Sequence, residues 1–292
     1  MKTKNSALLD LPYHPPLDWQ TMLAFFQARA VPGVELVEQG VYQRVVCLGG
    51  RISMLRVSHA ERKHALRVSS ATLTQVKARK ELAARVRRMF DLDADMNAIS
   101  RVLVGDHRLR PLVRARPGLR LPGAWDPFEA AVRAVVGQQI SVKGARTILG
   151  RLVQAADREA CSEREPLSAR CFPTAEALSA ASLEGVGLTR RRAATLVALS
   201  RAVADGEVDF NKSLSLEHFV RQLTRLPGIG DWTAQYIAMR GMGHGDAFPA
   251  SDLGIFKALH SPGKRPTASA IRRQAEAWRP WRAYAAMHLW HG

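Results

Sequence analysis

Cysteines are scarce in this chain, and long hydrophobic runs are absent. Its 292 residues include three cysteines, Cys47, Cys161 and Cys171, with no C-x-x-C pair. This pattern argues against a disulfide framework and against a cysteine-ligated metal or iron–sulfur cluster. No apolar run approaches the ~20 residues of a membrane-spanning helix, and the N-terminal "MKTKNSALLDLPYHPP" lacks the apolar core of a signal peptide. We therefore expect a protein of the reducing cytoplasm.

Histidine spacing gives no sign of a metal site either. The nine histidines show neither H-x-x-x-H nor H-x-x-E-H, the spacings that place two ligands on one helical face. We therefore expect His244, His260, His288 and His291 to be solvent-exposed or core residues.

Acidic residues are outnumbered by basic ones. The chain has 43 Lys and Arg against 26 Asp and Glu, a formal charge of +17 and a pI near 10.8. Such a charge favours a polyanionic partner. Nucleic acid is the first candidate, because nothing in the sequence indicates a membrane segment.

The N-terminal third has the pattern of an α+β domain. Residues 34–70 alternate between apolar and polar in β-branched runs, with Gly49-Gly50 as a hairpin turn. Residues 74–90 and 93–104 change to helical periodicity. Between 51 and 90 there are eleven basic residues against Glu61 and Glu81, which fits either a solvated face or direct phosphate contact.

Strands are not predicted beyond "RARPGLRLPGAW" (114–125), a Pro/Gly/Arg connector. We place an N-terminal sheet domain at 1–115 and an all-α core at 116–292. The core divides into helical subdomains at about 126–240 and at 252–292, the second together with the connector 116–125.

Asp126, Pro127 and Glu129 form a helix-start signature, and residues 157–170 are predicted to be a polar surface loop.

"LPGIG" at 226–230 separates two predicted helices, which is the helix-hairpin-helix pattern. Without a Cβ at Gly228 and Gly230 the backbone can come close to a ligand, and the first amides of the next helix point outward. Such a corner can bind a phosphate. An ordinary interhelical turn is the alternative. Asp252, at the start of a later helix, is likewise either an N-cap or a functional acid.

Three segments together resemble one family: "LPGIGDWTAQYIAMRG", "DAFPASDLGI" and "WRPWRAYAAMHLW". They are similar to the helix-hairpin-helix DNA glycosylases, above all the AlkA-type 3-methyladenine DNA glycosylases II. "YHPPLDWQTMLAFFQARAVPGVE", "RPGLRLPG" and "DPFEAAVRAVVGQQISV" extend the resemblance nearly end to end. It implies an antiparallel β-sheet domain with helices, of TATA-binding-protein-like topology, followed by helical domains with the active site between them.

The resemblance also implies roles for single residues. Asp252 takes the position of the catalytic acid, while Trp232, Tyr236 and Trp290 match the aromatic base pocket. Relatives that also nick the DNA strand carry a lysine where this chain has Trp232. We therefore expect a monofunctional glycosylase without lyase activity.

Further roles concern DNA contact. The hairpin residues Pro227, Gly228, Ile229, Gly230 and Thr233 are implied to bind a DNA phosphate.

Gln139, with Gln138 beside it, is implied to be the wedge, the side chain that fills the gap left by a flipped base. The best-known relatives have leucine there. Asp231 occupies a position where the family often has a basic residue, and we expect it to cap the helix beginning at Trp232.

The only cofactor that the resemblance admits is a Na⁺ or K⁺ ion on the main-chain carbonyls of Thr224, Leu226 and Ile229. We thus expect a monomeric bacterial enzyme, associated with the nucleoid, that flips alkylated bases such as 3-methyladenine and 7-methylguanine out of damaged double-stranded DNA and hydrolyses the N-glycosidic bond. A glycosylase of different lesion specificity and a non-catalytic DNA-binding homologue are the alternatives.

Overall fold

A computed structural model describes residues 7–160, 170–210, 214–260 and 266–292. The strands are β1 (Ala7–Pro12), β2 (Glu35–Glu38), β3 (Val41–Leu48), β4 (Arg51–Ala60) and β5 (Ala65–Ser70). The helices are α1 (Trp19–Arg29), α2 (Val76–Met89), α3 (Met96–Leu103), α4 (Leu109–Ala115), α5 (Pro127–Val136), α6 (Val142–Ala160), α7 (Ala175–Ala180), α8 (Arg190–Ala204), α9 (Leu216–Thr224), α10 (Asp231–Met242), α11 (Leu253–Ala258), α12 (Ala268–Ala275) and α13 (Arg282–His291). Helix α6 extends into the loop predicted at 157–170, and residues 161–169 with Cys161 lie outside the described ranges.

The N-terminal part forms one antiparallel sheet in the order β1-β5-β4-β3-β2. The strands predicted at 34–70 are confirmed, including the turn at Gly49-Gly50. Strand β1 is not predicted by the periodicity of the sequence. It pairs with β5, Ala7 opposite Ser70, and no local turn signals a pairing between strands so distant in sequence.

Helices α1 and α2 cover one face of this sheet. Tyr42, Leu55 and Leu66 from the strands are fully buried there, against Phe26 of α1 and Leu82 of α2. Helix α1 starts at the N-cap Asp18, whose carboxylate accepts a hydrogen bond from Thr21 N at 3.0 Å. The packing of Phe26 on the sheet fixes the position of α1.

Helices α3 and α4, which precede the domain boundary predicted at 115/116, pack against the helices that follow it. Ile99 and Leu103 of α3 and Leu109 and Val113 of α4 pack into the same buried cluster as α5, α8 and α10. The part of the connector after Ala115 therefore follows two helices that share the core of the C-terminal part. Its Pro/Gly/Arg composition predicts a loop, but it does not indicate which buried cluster the preceding helices join.

A buried ionic cluster joins the sheet to α5. Arg44 on β3 donates from Nη2 to Glu129 Oε2 at 2.9 Å, and Arg133 Nη2 lies 2.5 Å from Glu35 Oε2 and 2.6 Å from Glu129 Oε1. Tyr42 also donates to Glu35 at 2.6 Å. Burial opposes ionisation of Glu35, but the guanidinium groups of Arg133 and Arg44 outweigh it and lower its pKa.

A second buried carboxyl links α2, the connector and α13. Asp91 follows α2 and accepts hydrogen bonds from Tyr284 Oη at 2.9 Å and from Leu121 N at 3.1 Å. Burial raises its pKa to about 6, against the smaller opposite effect of these donors. These contacts hold α13, and so its end near Trp290, against the N-terminal part.

The basic stretch 51–90 is partly engaged within the protein. Arg67 and Lys63 pair with Asp10 at 2.9 Å, Arg85 contacts Glu81 at 2.9 Å, and Arg88 donates to the carbonyl of Trp125 at 2.9 Å. Ion pairs and hydrogen bonds within the protein thus engage some of the basic side chains for which the sequence also allowed phosphate contact.

Within the described ranges, the helices are all too short or too polar to cross a lipid bilayer.

Candidate active site

A cavity of about 690 Å³ opens between the sheet domain and the helical core. Its wall combines side chains from α1, α5, α6, α10, the start of α11 and the end of α13. The predicted residues Asp252, Trp232, Tyr236 and Trp290 all line it. The structure therefore brings together four residues that are up to 58 positions apart in the sequence.

Asp252 is the N-cap of α11, and its carboxylate accepts four hydrogen bonds. The backbone N–H groups of Gly254 and Ile255 donate to Oδ1 at 2.8 and 3.2 Å. The indole Nε1 of Trp290 donates to Oδ1 at 2.8 Å, and that of Trp232 to Oδ2 at 3.0 Å. The two interpretations of Asp252 are therefore compatible, because one carboxylate caps a helix and also faces the cavity between two indoles.

The aromatic side chains form one wall of the cavity. Trp232 and Tyr236, one helical turn apart on α10, stack with ring centroids 5.3 Å apart and an interplanar angle of 13°. The ring centroids of Trp290 and Tyr236 are 6.4 Å apart, and the angle between their planes is 53°. Each of the three side chains remains partly exposed. A flat ring entering the cavity would meet π-faces and, beyond them, the Asp252 carboxylate.

Gly254 permits this arrangement. A Cβ at this position would lie 2.8 Å from Trp290 Cδ1 and 3.0 Å from Asp252 Oδ1. Only glycine lets the start of α11 come so close to the indole. Its role was not predicted from the sequence, although "DLGI" places the glycine immediately after the first helical residue.

The far end of the cavity is basic, which was also not predicted. The Arg240 Cζ lies 5.4 Å from the ring centroids of both Tyr236 and Trp290, and 4.7 Å from that of Phe25. Arg29 lies over the Phe25 ring at 4.0 Å. Burial works to raise the pKa of the Tyr236 phenol, but Arg240 and Arg29 more than offset it and lower that pKa. Phe25 and Arg29 come from α1, so the sheet domain supplies part of this wall.

His288 and His291 are both on α13. Burial lowers the pKa of His288 to about 4, with smaller effects of His291 and Arg116 in the same direction. His291 lines the cavity, and burial lowers its pKa as well. No group of three or more His, Cys, Asp or Glu side chains suited to a metal occurs among the residues the structure describes.

The hairpin between α9 and α10 has two different glycines. Gly228 has φ of +84°, and a Cβ there would lie 2.1 Å from Thr195 Oγ1, so both conformation and packing require it. Gly230 has φ of −90°, and a Cβ there would have no other atom within 4 Å. Pro227 is exposed and Ile229 is buried in the core. The geometry of an ordinary interhelical turn therefore explains the glycine at position 228, but it does not explain the glycine at position 230.

The two candidate wedge glutamines differ in position. Gln138 Nε2 donates to the carbonyl of Gly228 and to Thr233 Oγ1, each at 3.0 Å, so its amide is bonded to the hairpin. Thr233 itself is buried. Gln139 is exposed, with φ of +55° in the left-handed region. A non-glycine residue held in that conformation often marks a functional site.

Asp231 does not cap α10, contrary to the expectation. Gly230 is the N-cap, Asp231 is the first residue of the helix, and no side chain makes a capping hydrogen bond. Instead, Asp231 forms an exposed ion pair with Arg272 of α12 at 2.8 Å. The pair places a guanidinium beside the hairpin, where it offsets the acid.

Known families match most of the chain. Residues 8–126 match the AlkA N-terminal domain, and residues 132–282 match the HhH-GPD superfamily of base excision DNA repair proteins. The DNA-3-methyladenine glycosylase 2 of Escherichia coli K12 is 36% identical over 285 residues, covering 96% of both chains. The 3-methyladenine DNA glycosylase of Archaeoglobus fulgidus has a similar solved structure, with a TM-score of 0.81 and 25% identity over 98% of this chain and 97% of that one.

Two further relatives are longer proteins. The probable bifunctional transcriptional activator/DNA repair enzymes AlkA of two Mycobacterium tuberculosis strains are 38% identical over 97% of this chain. The chain spans 56% of their length.

Proposed function

The chain belongs to the HhH-GPD superfamily of base excision DNA repair proteins, in the branch with an AlkA N-terminal domain, and from this membership we propose that it is a DNA glycosylase that releases alkylated bases. The observation that carries the proposal is the Asp252 carboxylate held between Trp232 and Trp290 at the cavity wall. Its substrates are proposed to be 3-methyladenine, 7-methylguanine and related lesions in double-stranded DNA.

Hydrolysis of the N-glycosidic bond places positive charge on the deoxyribose as the base leaves. Asp252 is held by four N–H donors before any substrate arrives, so it can stabilise this charge without reorganising. Water then adds to C1′ on the face that the carboxylate controls. The same carboxylate can take the proton that the water loses.

The aromatic wall selects the base. An alkylated purine carries positive charge and a flat π-surface, so stacking on Trp232 and Tyr236 combines dispersion with cation–π attraction. The base must leave the duplex to reach this wall. Gln139, exposed on the loop between α5 and α6, is the proposed wedge, because Gln138 is already bonded to the hairpin.

The reaction is proposed to stop at base release. A strand-nicking glycosylase needs an amine that forms a Schiff base with the sugar. Position 232 holds tryptophan, and no lysine lines the cavity among the described residues. The product is then an abasic site in an unbroken strand.

The hairpin is proposed to hold a DNA phosphate at Gly230. Its open position and ordinary φ mean that a side chain there changes the surface and not the fold. Gly230→Asp keeps a good N-cap but adds a negative charge, so we expect duplex DNA binding to weaken about tenfold at low salt. Gly230→Ser is the matched control, with a similar cap and no charge, and should bind like the wild type within about threefold.

Binding can be measured by fluorescence anisotropy at several salt concentrations, with the unfolding free energy of each variant determined in urea. Equal affinity for Gly230→Asp and wild type would rule out a phosphate at this position.

A Na⁺ or K⁺ ion at the hairpin is a further part of the proposal. The carbonyls of Thr224, Leu226 and Ile229 would hold it. Leu226 O already accepts a hydrogen bond from Ile229 N at 3.2 Å, which leaves one lone pair of that carbonyl for a cation. Bound to those carbonyls, the ion would add positive charge to the hairpin beside the proposed phosphate contact.

The proposed activity is tested by base release from duplex oligonucleotides that contain 3-methyladenine or 7-methylguanine. We expect the free base to appear and the strand to remain intact until alkali cleaves the abasic site. Release of the base with no strand cleavage before alkali is added supports a monofunctional enzyme. Tight binding without release would instead support the non-catalytic homologue, and release of 8-oxoguanine alone would support a different lesion class.

As an enzyme of chromosomal DNA, the protein is proposed to act as a monomer in the bacterial cytoplasm, at the nucleoid. Its +17 charge suits such a polyanionic surface.

A further inference from the structure

The loop between α5 and α6 holds Gln139 in a conformation that needs support from its surroundings. Gln139 is exposed, with φ of +55°, and in this left-handed region a Cβ crowds the carbonyl that follows it. A residue other than glycine stays there only when neighbouring contacts hold the backbone in place. The contacts of the preceding residue, Gln138, supply such a restraint.

Gln138 is bonded to the protein through both its main chain and its side chain. Its carbonyl accepts a hydrogen bond from Arg192 Nη2 at 2.6 Å. Its side-chain Nε2 donates to the carbonyl of Gly228 and to Thr233 Oγ1, each at 3.0 Å. The carbonyl of Gln138 and the nitrogen of Gln139 belong to one planar peptide group. These bonds therefore orient the plane from which the backbone of Gln139 turns.

Arg192 in turn belongs to a helix that also packs on the hairpin. It is the third residue of α8, is half-buried, and donates its N–H to the N-cap hydroxyl of Thr189 at 3.3 Å. Thr195, one turn later, is buried so close to the hairpin that a Cβ at Gly228 would lie 2.1 Å from its Oγ1. The first turns of α8 thus connect the hairpin with the loop that carries Gln139.

The stability of α8 does not account for its arginines. Arg190, Arg191 and Arg192 occupy the first turn, which has no acidic residue, although the positive end of the helix dipole disfavours cations there. Arg190 and Arg191 are exposed. Arg192 is the one that donates to the carbonyl of Gln138, so a specific bond sets it apart from its two neighbours.

We propose that Arg192 and Gln138 are positioning residues for base flipping, which link the hairpin to Gln139 and hold the wedge in its inserting conformation before DNA binds. A DNA phosphate on the hairpin and the wedge in the base stack are then placed relative to each other by one hydrogen-bonded unit. The inference rests on the proposed function, because it assumes the phosphate contact and the wedge proposed above.

This unit acts on the opening of the base pair and not on the glycosidic bond. Neither Arg192 nor Gln138 is among the described residues that line the cavity, so their loss leaves Asp252 and the aromatic wall in place. Unpairing and unstacking the target base cost free energy, and the cost is least for a base without a pairing partner. Losing the support of the wedge should therefore slow the release of a paired lesion and spare an unpaired one.

The test compares two duplexes at saturating enzyme under single-turnover conditions, with 7-methylguanine opposite either cytosine or a tetrahydrofuran abasic analogue. Arg192→Met keeps the length of the side chain and removes its donors. It is expected to slow release opposite cytosine about tenfold and to leave release opposite the analogue within about twofold of wild type. Arg192→Lys can still donate to the carbonyl of Gln138 and should restore most of the rate opposite cytosine. Gln138→Met, which removes only the bonds to the hairpin, should shift the ratio of the two rates in the same direction as Arg192→Met.

Arg191→Met is the matched control, because it removes an exposed guanidinium from the same turn of α8. It should change the two release rates by the same factor. A second comparison uses the Gln139→Ala background, in which there is no wedge left to position. Arg192→Met should there change release opposite cytosine by less than about twofold, since residues that act through one another are not additive. Urea denaturation of each variant reports its folding.

The inference is overturned if Arg192→Met slows both duplexes equally, if Arg191→Met shifts their ratio as much, or if Arg192→Met has its full effect without Gln139. A Gln139→Ala enzyme with the wild-type ratio also overturns it, because Gln139 is then not the wedge. In each of these cases wild-type enzyme still releases 7-methylguanine and the proposed function stands. Wild-type enzyme that releases the base from neither duplex overturns the proposed function itself.

Discussion

Asp252→Asn is expected to slow base release about 100- to 1000-fold, the effect of removing one preorganised electrostatic group from a transition state. Asparagine has nearly the same size, and its amide oxygen can still accept from Gly254 N and Trp290 Nε1. The carboxylate charge is lost. The deoxyribose cation then forms without its negative partner, so single-turnover release of 7-methylguanine should fall while DNA binding stays similar.

Asp106 offers a close structural match for the control. Its carboxylate also accepts from an indole, Trp278 Nε1 at 3.0 Å, and from two backbone N–H groups, Arg108 at 2.8 Å and Leu109 at 3.3 Å. It does not line the cavity. Asp106→Asn therefore changes the same kind of hydrogen-bonded cap away from the proposed chemistry, and its release rate should remain within about threefold of wild type.

The unfolding free energies of both variants, measured in urea, separate chemistry from folding. If Asp252→Asn releases the base as fast as Asp106→Asn does, Asp252 acts only as a helix cap.

Local signals in the sequence were enough to predict the hairpin and the residues beside it. "LPGIGDW" combines turn glycines with the start of a helix, and Trp232 and Tyr236 share a face because they are four residues apart. The hairpin strands around Gly49-Gly50 were predictable for the same reason. In each case the residues that interact are neighbours in the chain or one turn apart.

Contacts between distant segments were not predictable in this way. Helix α1 has apolar residues on more than one side, and its sequence does not indicate that Phe26 faces the sheet while Phe25 and Arg29 face a cavity completed by α10. Strand β1 is not predictable from local pattern because its partner β5 is more than fifty residues away. No sequence signal distinguishes Gly228 from Gly230 either, since the clash with Thr195 arises only after α8 packs on the hairpin.

The same long-range packing explains the ionic cluster between the sheet and α5, for which no local pattern exists. Arg44, Glu35 and Glu129 have side chains less than 5% exposed, and they come from β3, β2 and α5. Because the cluster forms part of the cavity floor through Glu35, Glu129 and Arg133, it also sets the position of α5 relative to the aromatic wall.

Arg44→Met is accordingly expected to lower the free energy of unfolding by about 3–5 kcal/mol, because it leaves Glu129 and Glu35 buried with one guanidinium between them. The double variant Arg44→Met/Glu129→Leu removes a charge of each sign and should be less destabilised than the single one. Arg272→Met breaks an exposed pair with Asp231, 52% and 44% exposed, and should cost less than about 1 kcal/mol. Urea denaturation of the three variants measures these differences. A loss for Arg44→Met no larger than for Arg272→Met would mean that water reaches the cluster and screens its charges.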